Sequence, residues 1–228
     1  MTTDEDELSD ADDDPYALAL RPGSGPVYLR LVDGRRIPMP VHRWHERPTA
    51  ADRTVLERCV GPVLDVGCGP GRLCRELLSR GVFALGVDIA PHAVTLTTAL
   101  GGLAVCRSVF DRLPAERGWQ TLLLIDGNIG IGGDPRSLLR RCRGLLAPNG
   151  HLVVEVDPLD VEELCTARLE DHRGRSGPAF PWARLGRRAL REVAGDLALG
   201  VTDQWTSGHR SFATLALQEP SGQVRHRL

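Results

Sequence analysis

At 228 residues and 42 % apolar content, the chain has enough material for one substantial core and is short for two independent catalytic domains. Its 28 basic residues are all arginine, and eight carboxylates crowd into the first fifteen positions (Asp4, Glu5, Asp6, Glu7, Asp10, Asp12, Asp13 and Asp14), which leaves 22 acidic residues in the remainder. The arginines are scattered, aromatic residues make up 4 %, and no apolar run is long enough to cross a bilayer, so neither a nucleic-acid groove nor a membrane span is expected.

Residues 1–15 repel one another and are expected to form a disordered acidic tail; they are the reverse of the basic start of a signal peptide, which points to the cytoplasm. Runs at 27–31 and 36–39 flank Asp33-Gly34, a dipeptide suited to a tight hairpin. Thr49 can cap a helix reaching about Cys59, and Gly61-Pro62 then breaks the chain, so residues 16–60 are expected to pack on a core as a hairpin and a helix. From Pro62 onward, short apolar runs at 63–66, 83–87, 103–106, 121–125 and 152–156 alternate with helical periodicity, the pattern of βαβ units on a parallel sheet. Asp134 and Pro135 open a helix with Leu138, Leu139, Cys142, Leu145 and Leu146 on one face; Arg136, Arg140, Arg141 and Arg143 are assigned mostly to its wet side.

The stretch 157–180 is polar, punctuated by Gly and Pro, and too long for an ordinary connection, so it is predicted to be a partial lid. A helix over 184–197 and strands at 201–206 and 211–217 follow; two strands joined by so short a turn at Gly208 must be antiparallel. The expected fold is therefore α/β, with one domain over 61–219 carrying a mainly parallel seven-stranded sheet that ends in an antiparallel hairpin, and with 220–228 as a flexible C-terminus. Six cysteines (Cys59, Cys68, Cys74, Cys106, Cys142, Cys165) show neither a C-x-x-C pair nor His/Cys ligand spacing; they read as small buried hydrophobes, with no metal expected.

The chemistry centres on Val63-Leu64-Asp65-Val66-Gly67-Cys68-Gly69-Pro70-Gly71, a strand running into a glycine-rich turn and then a helix. Such glycines let the backbone turn sharply and come close to a ligand, while free N–H groups at the helix start face its polar atoms. The spacing is G-x-G-x-G, one residue tighter at the third glycine than the dinucleotide fingerprint. The next strand ends in Asp88, where a carboxylate can accept the protons of two ribose hydroxyls.

Together with Asp65 and Asp88, this run resembles motif I of the class I S-adenosylmethionine-dependent methyltransferases, and the resemblance extends in family order from about Pro62 to Val156. It implies a Rossmann-like, doubly wound sheet and S-adenosyl-L-methionine as cofactor. It also implies a cofactor set of Asp65, Gly67, Cys68, Gly69, Gly71, Asp88 and Ile89, then Val109, Phe110 and Asp111 in an adenine loop, and Asp126 beside the methionine moiety. Ala90 and Ser108 depart from the family's usual serine and acidic residue. Pro148-Asn149-Gly150 is similar to the family's turn before the fifth strand.

The sulfonium is already an activated donor, so the enzyme has to align an acceptor and exclude water; a base is needed only for a protonated acceptor. Asn128, His45 and His209 are the candidate catalytic side chains, with His42, Trp44, Glu155, Asp157, Trp205 and Arg210 also placed near the strand ends. Asp126-Gly127-Asn128-Ile129 stands where amino-methylating nucleic-acid enzymes carry N/D-P-P-Y/F, which argues against DNA as acceptor. A small-molecule methyl acceptor, in bacterial secondary metabolism, is the expectation by analogy. The alternatives are a catalytically silent S-adenosylmethionine-binding scaffold, a protein or RNA methyltransferase, and a dinucleotide-dependent oxidoreductase. The oligomeric state is left open.

Overall fold

All four residues of the strand Val63–Val66 are buried, as a strand covered on both faces of a parallel sheet must be. The computed structural model describes residues 15–20 and 25–218; the acidic run from Asp4 to Asp14 and the segment 220–228 lie outside them. In chain order the elements begin with α1 (Pro15–Ala19), β1 (Val27–Leu31), β2 (Arg36–Met39), α2 (Val41–His45), α3 (Ala50–Leu56), β3 (Val63–Val66) and α4 (Arg72–Ser79). There follow β4 (Ala84–Asp88), α5 (Pro91–Ala99), β5 (Ala104–Cys106), β6 (Trp119–Leu124), a 3₁₀ segment (Asn128–Gly133), α6 (Pro135–Leu145) and β7 (Leu146–Val156). The last are β8 (Glu162–Asp171), β9 (Phe180–Leu185), α7 (Arg187–Gly195), β10 (Leu199–Ser207) and β11 (Arg210–Leu217).

The main sheet runs β10-β11-β7-β6-β3-β4-β5. The five strands from β7 to the edge strand β5 are parallel, and β11 pairs antiparallel with both β7 and β10. The chain builds outward from β3 through β4 and β5, then crosses to β6 on the other side, so a crevice opens beyond the carboxyl ends of β3 and β6. On one face, α3 and α4 bury Val55, Leu56, Leu73 and Leu77 against Leu123, Val153 and Phe212. On the other, α6 and α7 bury Leu138, Leu139, Leu145 and Leu190 against Leu64, Leu122 and Val154; each leucine so buried contributes roughly 1.5–3 kcal/mol.

Local signals explain where the helices begin. Thr49 and Asp52 form a reciprocal capping box on α3, which ends at Leu56 rather than near Cys59. Asp134 accepts the Arg136 and Ser137 amides at 3.0 and 3.1 Å ahead of Pro135. Of the four arginines assigned to the wet face of α6, Arg141 instead reaches the 107–116 loop, donating to the Val109 carbonyl at 2.8 Å and pairing with Glu116 at 2.8 Å.

Three expectations are corrected. The stretch 157–180, expected as a partial lid, is not irregular: it contains β8, which joins β1, β2 and β9 in a second antiparallel sheet of order β2-β1-β8-β9, and its Leu169 and Phe180 lie over a cavity at the carboxyl ends of β3, β4 and β6. The N-terminal hairpin accordingly pairs with a strand far along the chain, Leu29 lying opposite Leu169. The alternation Cys165, Ala167, Leu169 against Thr166 and Arg168 is that of a strand with one solvated face, Thr166 and Arg168 pointing away from the apolar side. Residues 184 and 185 belong to β9, and the helix starts only at Arg187. Among the cysteines, Cys68, Cys74 and Cys142 are buried, Cys59 and Cys165 are half-buried and Cys106 is exposed; all six are free.

Candidate functional site

The turn after β3 depends on glycine for different reasons at different positions. Gly67, Gly69 and Gly71 all have positive φ (72°, 53° and 74°). A Cβ on Gly71 would lie 2.4 Å from Thr97 Cγ2, and one on Gly67 would lie 2.6 Å from Asn128 Nδ2, so these two are fixed by the protein's own packing. A Cβ on Gly69 would meet only the Tyr16 hydroxyl, at 3.9 Å. The space left at Gly69 belongs to a cavity of about 980 Å³ at the carboxyl ends of β3, β4 and β6.

Asp88 ends β4 at the wall of this cavity. One carboxylate oxygen accepts the Gly69 amide at 3.0 Å and the Tyr16 hydroxyl at 3.4 Å; the other accepts the Ala90 amide at 2.9 Å. Burial pushes its carboxyl above the usual range, against the two amides that favour the charged form. Ile89, Ser108, Val109 and Phe110 continue the wall, with Ile89 exposed. Asp111 is not on it: its carboxylate accepts the Ser108 amide at 3.1 Å and closes the turn. Asp65 lies beneath the glycine turn, 3.6 Å from the Cys74 thiol that donates to it, and burial pushes its carboxyl up to about 7.

The cavity floor rests on a buried ion cluster drawn from six segments. Asp126, at φ 57°, accepts Arg72 at 2.7 Å and Arg210 at 3.1 Å, with Arg43 at 3.7 Å. Arg72 and Arg210 also bind Asp52, at 2.9 and 2.7 Å. Arg210 forks onto Glu155 at 2.7 and 2.5 Å, and Glu155 in turn accepts the Asp126 amide at 2.7 Å. Three carboxylates thus face three guanidiniums. Burial raises Asp52, but the Arg72 and Arg210 guanidiniums outweigh it and hold that carboxyl well below the usual range.

The candidate catalytic side chains scatter. Asn128 reaches the cavity, but its amide nitrogen donates to the Val66 and Gly67 carbonyls at 2.8 and 3.0 Å, bracing the glycine turn. His45 lies off the cavity wall, 3.4 Å from the Ala19 carbonyl, and His209 is exposed in the β10–β11 turn. Glu155 and Arg210 act through Asp126, Asp157 pairs with Arg184 at 2.7 Å, and Trp205 lies under Arg58 at 3.7 Å. Trp44 does line the cavity.

Several wall residues escaped sequence reasoning. The roof is the apolar face of the second sheet, presenting Leu29, Met39, Leu169, Phe180 and Trp182, and Tyr16 closes one side. Only the i, i+2 spacing of Phe180 and Trp182 hinted at a strand face; the others depend on pairing across more than a hundred residues. Arg72, one residue beyond the last motif glycine, joins the cluster without any linear signal. Among the described residues no group of His, Cys, Asp or Glu could hold a metal, and no helix is long and apolar enough to cross a membrane.

Residues 63–150 match a family model described as a methyltransferase domain. The ubiquinone biosynthesis O-methyltransferase of Bradyrhizobium diazoefficiens is 34 % identical over 106 residues, covering 42 % of this chain and 40 % of that protein. The enzyme of the same name from Pseudomonas paraeruginosa is 31 % identical over 124 residues, 50 % of this chain and 49 % of its own. The chain thus spans less than half the length of these relatives. A methyltransferase from Bacteroides fragilis, solved with S-adenosyl-L-homocysteine, shares the fold at a TM-score of 0.78 and 22 % identity, over 92 % of this chain and 97 % of that one.

Proposed function

We infer that this chain, a member of the class I S-adenosylmethionine-dependent methyltransferases, transfers a methyl group from that cofactor to a small-molecule acceptor. The observation that carries the reading is the pairing of Gly69 with Asp88. The one motif glycine whose missing side chain opens into the cavity sits 3.0 Å, amide to carboxylate, from the acidic strand end. A Cβ at 69 would fill the cradle that a nucleoside needs, and Asp88, which accepts two amides and the Tyr16 hydroxyl at 3.4 Å, keeps one lone-pair site for a ribose hydroxyl and gains a second where the ribose displaces Tyr16.

In this reading Ile89 and Phe110 cover the adenine, and the Val109 segment presents main-chain groups to its edge. Asp65, Gly67 and Cys68 support the methionine end, with Asp126 below. When bound, S-adenosylmethionine supplies a methyl carbon on a positively charged sulfur. The roof of the second sheet excludes water above that carbon, and the Arg72–Asp126–Arg210 cluster fixes the floor beneath it. Asn128 keeps the Gly67 carbonyl in place rather than acting on the acceptor.

The two O-methyltransferase relatives, by name, serve ubiquinone biosynthesis, which supports a small molecule as acceptor. Six free cysteines suit the reducing cytoplasm, and a role in secondary metabolism is part of the same proposal. Incubating the purified chain with methyl-labelled S-adenosylmethionine and a metabolite extract tests it: label is expected in the small-molecule fraction, with S-adenosylhomocysteine released. Label confined to protein or RNA, or NAD(P)H binding without any response to S-adenosylmethionine, would replace it.

A further inference from the structure

The wall assigned to the purine is one tight turn, most of whose acceptors are turned inward. The Asp111 amide donates to the Ser108 carbonyl at 3.1 Å, the Asp111 carboxylate accepts the Ser108 amide at 3.1 Å, and the Ser108 hydroxyl oxygen accepts the Phe110 amide at 3.2 Å. Arg141, reaching across from α6, donates to the Val109 and Asp111 carbonyls at 2.8 and 2.6 Å. It also pairs at 2.8 Å with Glu116, the next carboxylate along the loop, which accepts the Leu113 amide at 3.2 Å. Arg107 donates to the Arg112 carbonyl at 3.1 Å.

The donors are arranged the other way. Val109 is 4 % exposed and lies on the cavity wall, yet its N–H has no acceptor among the described residues. A buried amide left open is costly unless a ligand atom accepts from it. On the same stretch of wall stand the Ser108 hydroxyl, which already accepts one amide, and the cationic Arg107. The carboxylates on the wall are engaged elsewhere: Asp65 beneath the glycine turn, Asp88 against the Gly69 and Ala90 amides, and Asp126 in the ion cluster. His92, on the wall at the first turn of α5, carries no negative charge in either protonation state. This wall therefore offers an N–H to a ring nitrogen and no anionic acceptor to an amine.

Resting on the methyltransferase reading above, we propose that Val109 and Ser108 set the chain's specificity for the base of its cofactor: the Val109 amide holds the purine at N1, position 108 leaves the neighbouring amino group without a charged partner, and cofactor forms lacking that amine are accepted. A site that pairs a ligand N–H with a buried carboxylate rejects the analogue without it, because the carboxylate is stranded. Here removal of the amine strands nothing. Replacing the amine by a carbonyl is different, since a 6-oxopurine carries hydrogen on N1 and would set two N–H donors against each other.

Calorimetric titration of the full chain with S-adenosylhomocysteine separates the two levels: no binding removes the methyltransferase reading, whereas binding leaves the base claim to be judged alone. Two analogues of S-adenosylhomocysteine are then titrated, one with hydrogen in place of the amine and one with a 6-oxo group (S-inosylhomocysteine). The first is expected to bind within about tenfold of S-adenosylhomocysteine, and the second more than about tenfold more weakly. Ser108→Asp supplies the missing carboxylate and should raise the preference for the amine over hydrogen at least about tenfold relative to the parent. A loss of more than about tenfold with the hydrogen analogue, a 6-oxo analogue bound within about tenfold, or a smaller gain in preference in folded Ser108→Asp would each overturn the proposal.

Discussion

Replacing Arg210 by methionine should be among the most damaging single changes outside the hydrophobic core. The side chain is 7 % exposed and binds Glu155 through two atoms, Asp52 at 2.7 Å and Asp126 at 3.1 Å. Without it, three buried carboxylates face Arg72 and the more distant Arg43, and Glu155 keeps only the Asp126 amide. Removing one partner of a buried ion pair costs about 3–5 kcal/mol, because the charge left behind has lost both water and counter-ion. For a domain of this size each kcal/mol lowers Tm by roughly 2–4 °C, so Arg210→Met should melt roughly 6–20 °C below the parent. Urea unfolding followed by circular dichroism gives the free energy directly. The double variant Arg210→Met, Glu155→Met removes the stranded carboxylate and should lose less than the sum of the two single changes, with a coupling of about 1–3 kcal/mol. A loss under about 1 kcal/mol for Arg210→Met, or strictly additive behaviour of the pair, would show that the cluster does not hold the site together.

Other outcomes follow from individual residues. Gly71→Ala places a Cβ 2.4 Å from Thr97 at φ 74° and should destabilise the fold by about 2–5 kcal/mol, whereas Gly69→Ala meets open cavity and should cost only about 1–2 kcal/mol in melting while weakening S-adenosylhomocysteine binding more than about tenfold. Equal effects of the two alanines on binding and on stability would remove the distinction drawn between them. Asp65 has a folded pKa of about 7, raised by burial above its unfolded value, so the folded state holds the proton more tightly and stability declines as pH rises from about 4 to 7. Asp65→Asn should abolish that slope and gain up to about 4 kcal/mol at pH 8 in urea titrations; an unchanged pH profile would count against a buried, protonated Asp65. Asp52 has the opposite sign: its depressed carboxyl contributes stability above its unfolded pKa of about 3.9, and that contribution is lost as pH falls below it, so acid unfolding of Asp52→Asn should be less steep.

What the sequence made legible was local. The apolar runs at β3, β4 and β6 and the glycine turn all carry their information within a dozen residues, and Asp134 announces α6 by its own side chain. β8 was missed because its polar face is as charged as a loop, and its partner β1 lies some 136 residues earlier, beyond any window of periodicity. The same distance effect hid the floor of the cavity. Asp52, Arg72, Asp126, Glu155 and Arg210 converge only through sheet order, and histidines picked for their chemistry settle elsewhere, His209 in a solvent-facing turn. Asn128, a candidate for its place after β6, lines the cavity and also braces the Val66 and Gly67 carbonyls, a contact that no local signal announces.

The most direct measurement is calorimetric titration of S-adenosylhomocysteine into the parent chain and into Asp88→Ala, with circular dichroism to confirm that both are folded. Two hydrogen bonds from ribose to a charged acceptor contribute together about 3 kcal/mol, so the parent should bind and the variant should bind about 100-fold more weakly. A parent that does not bind, or a folded variant that binds as tightly as the parent, would contradict the cradle formed by Gly69 and Asp88.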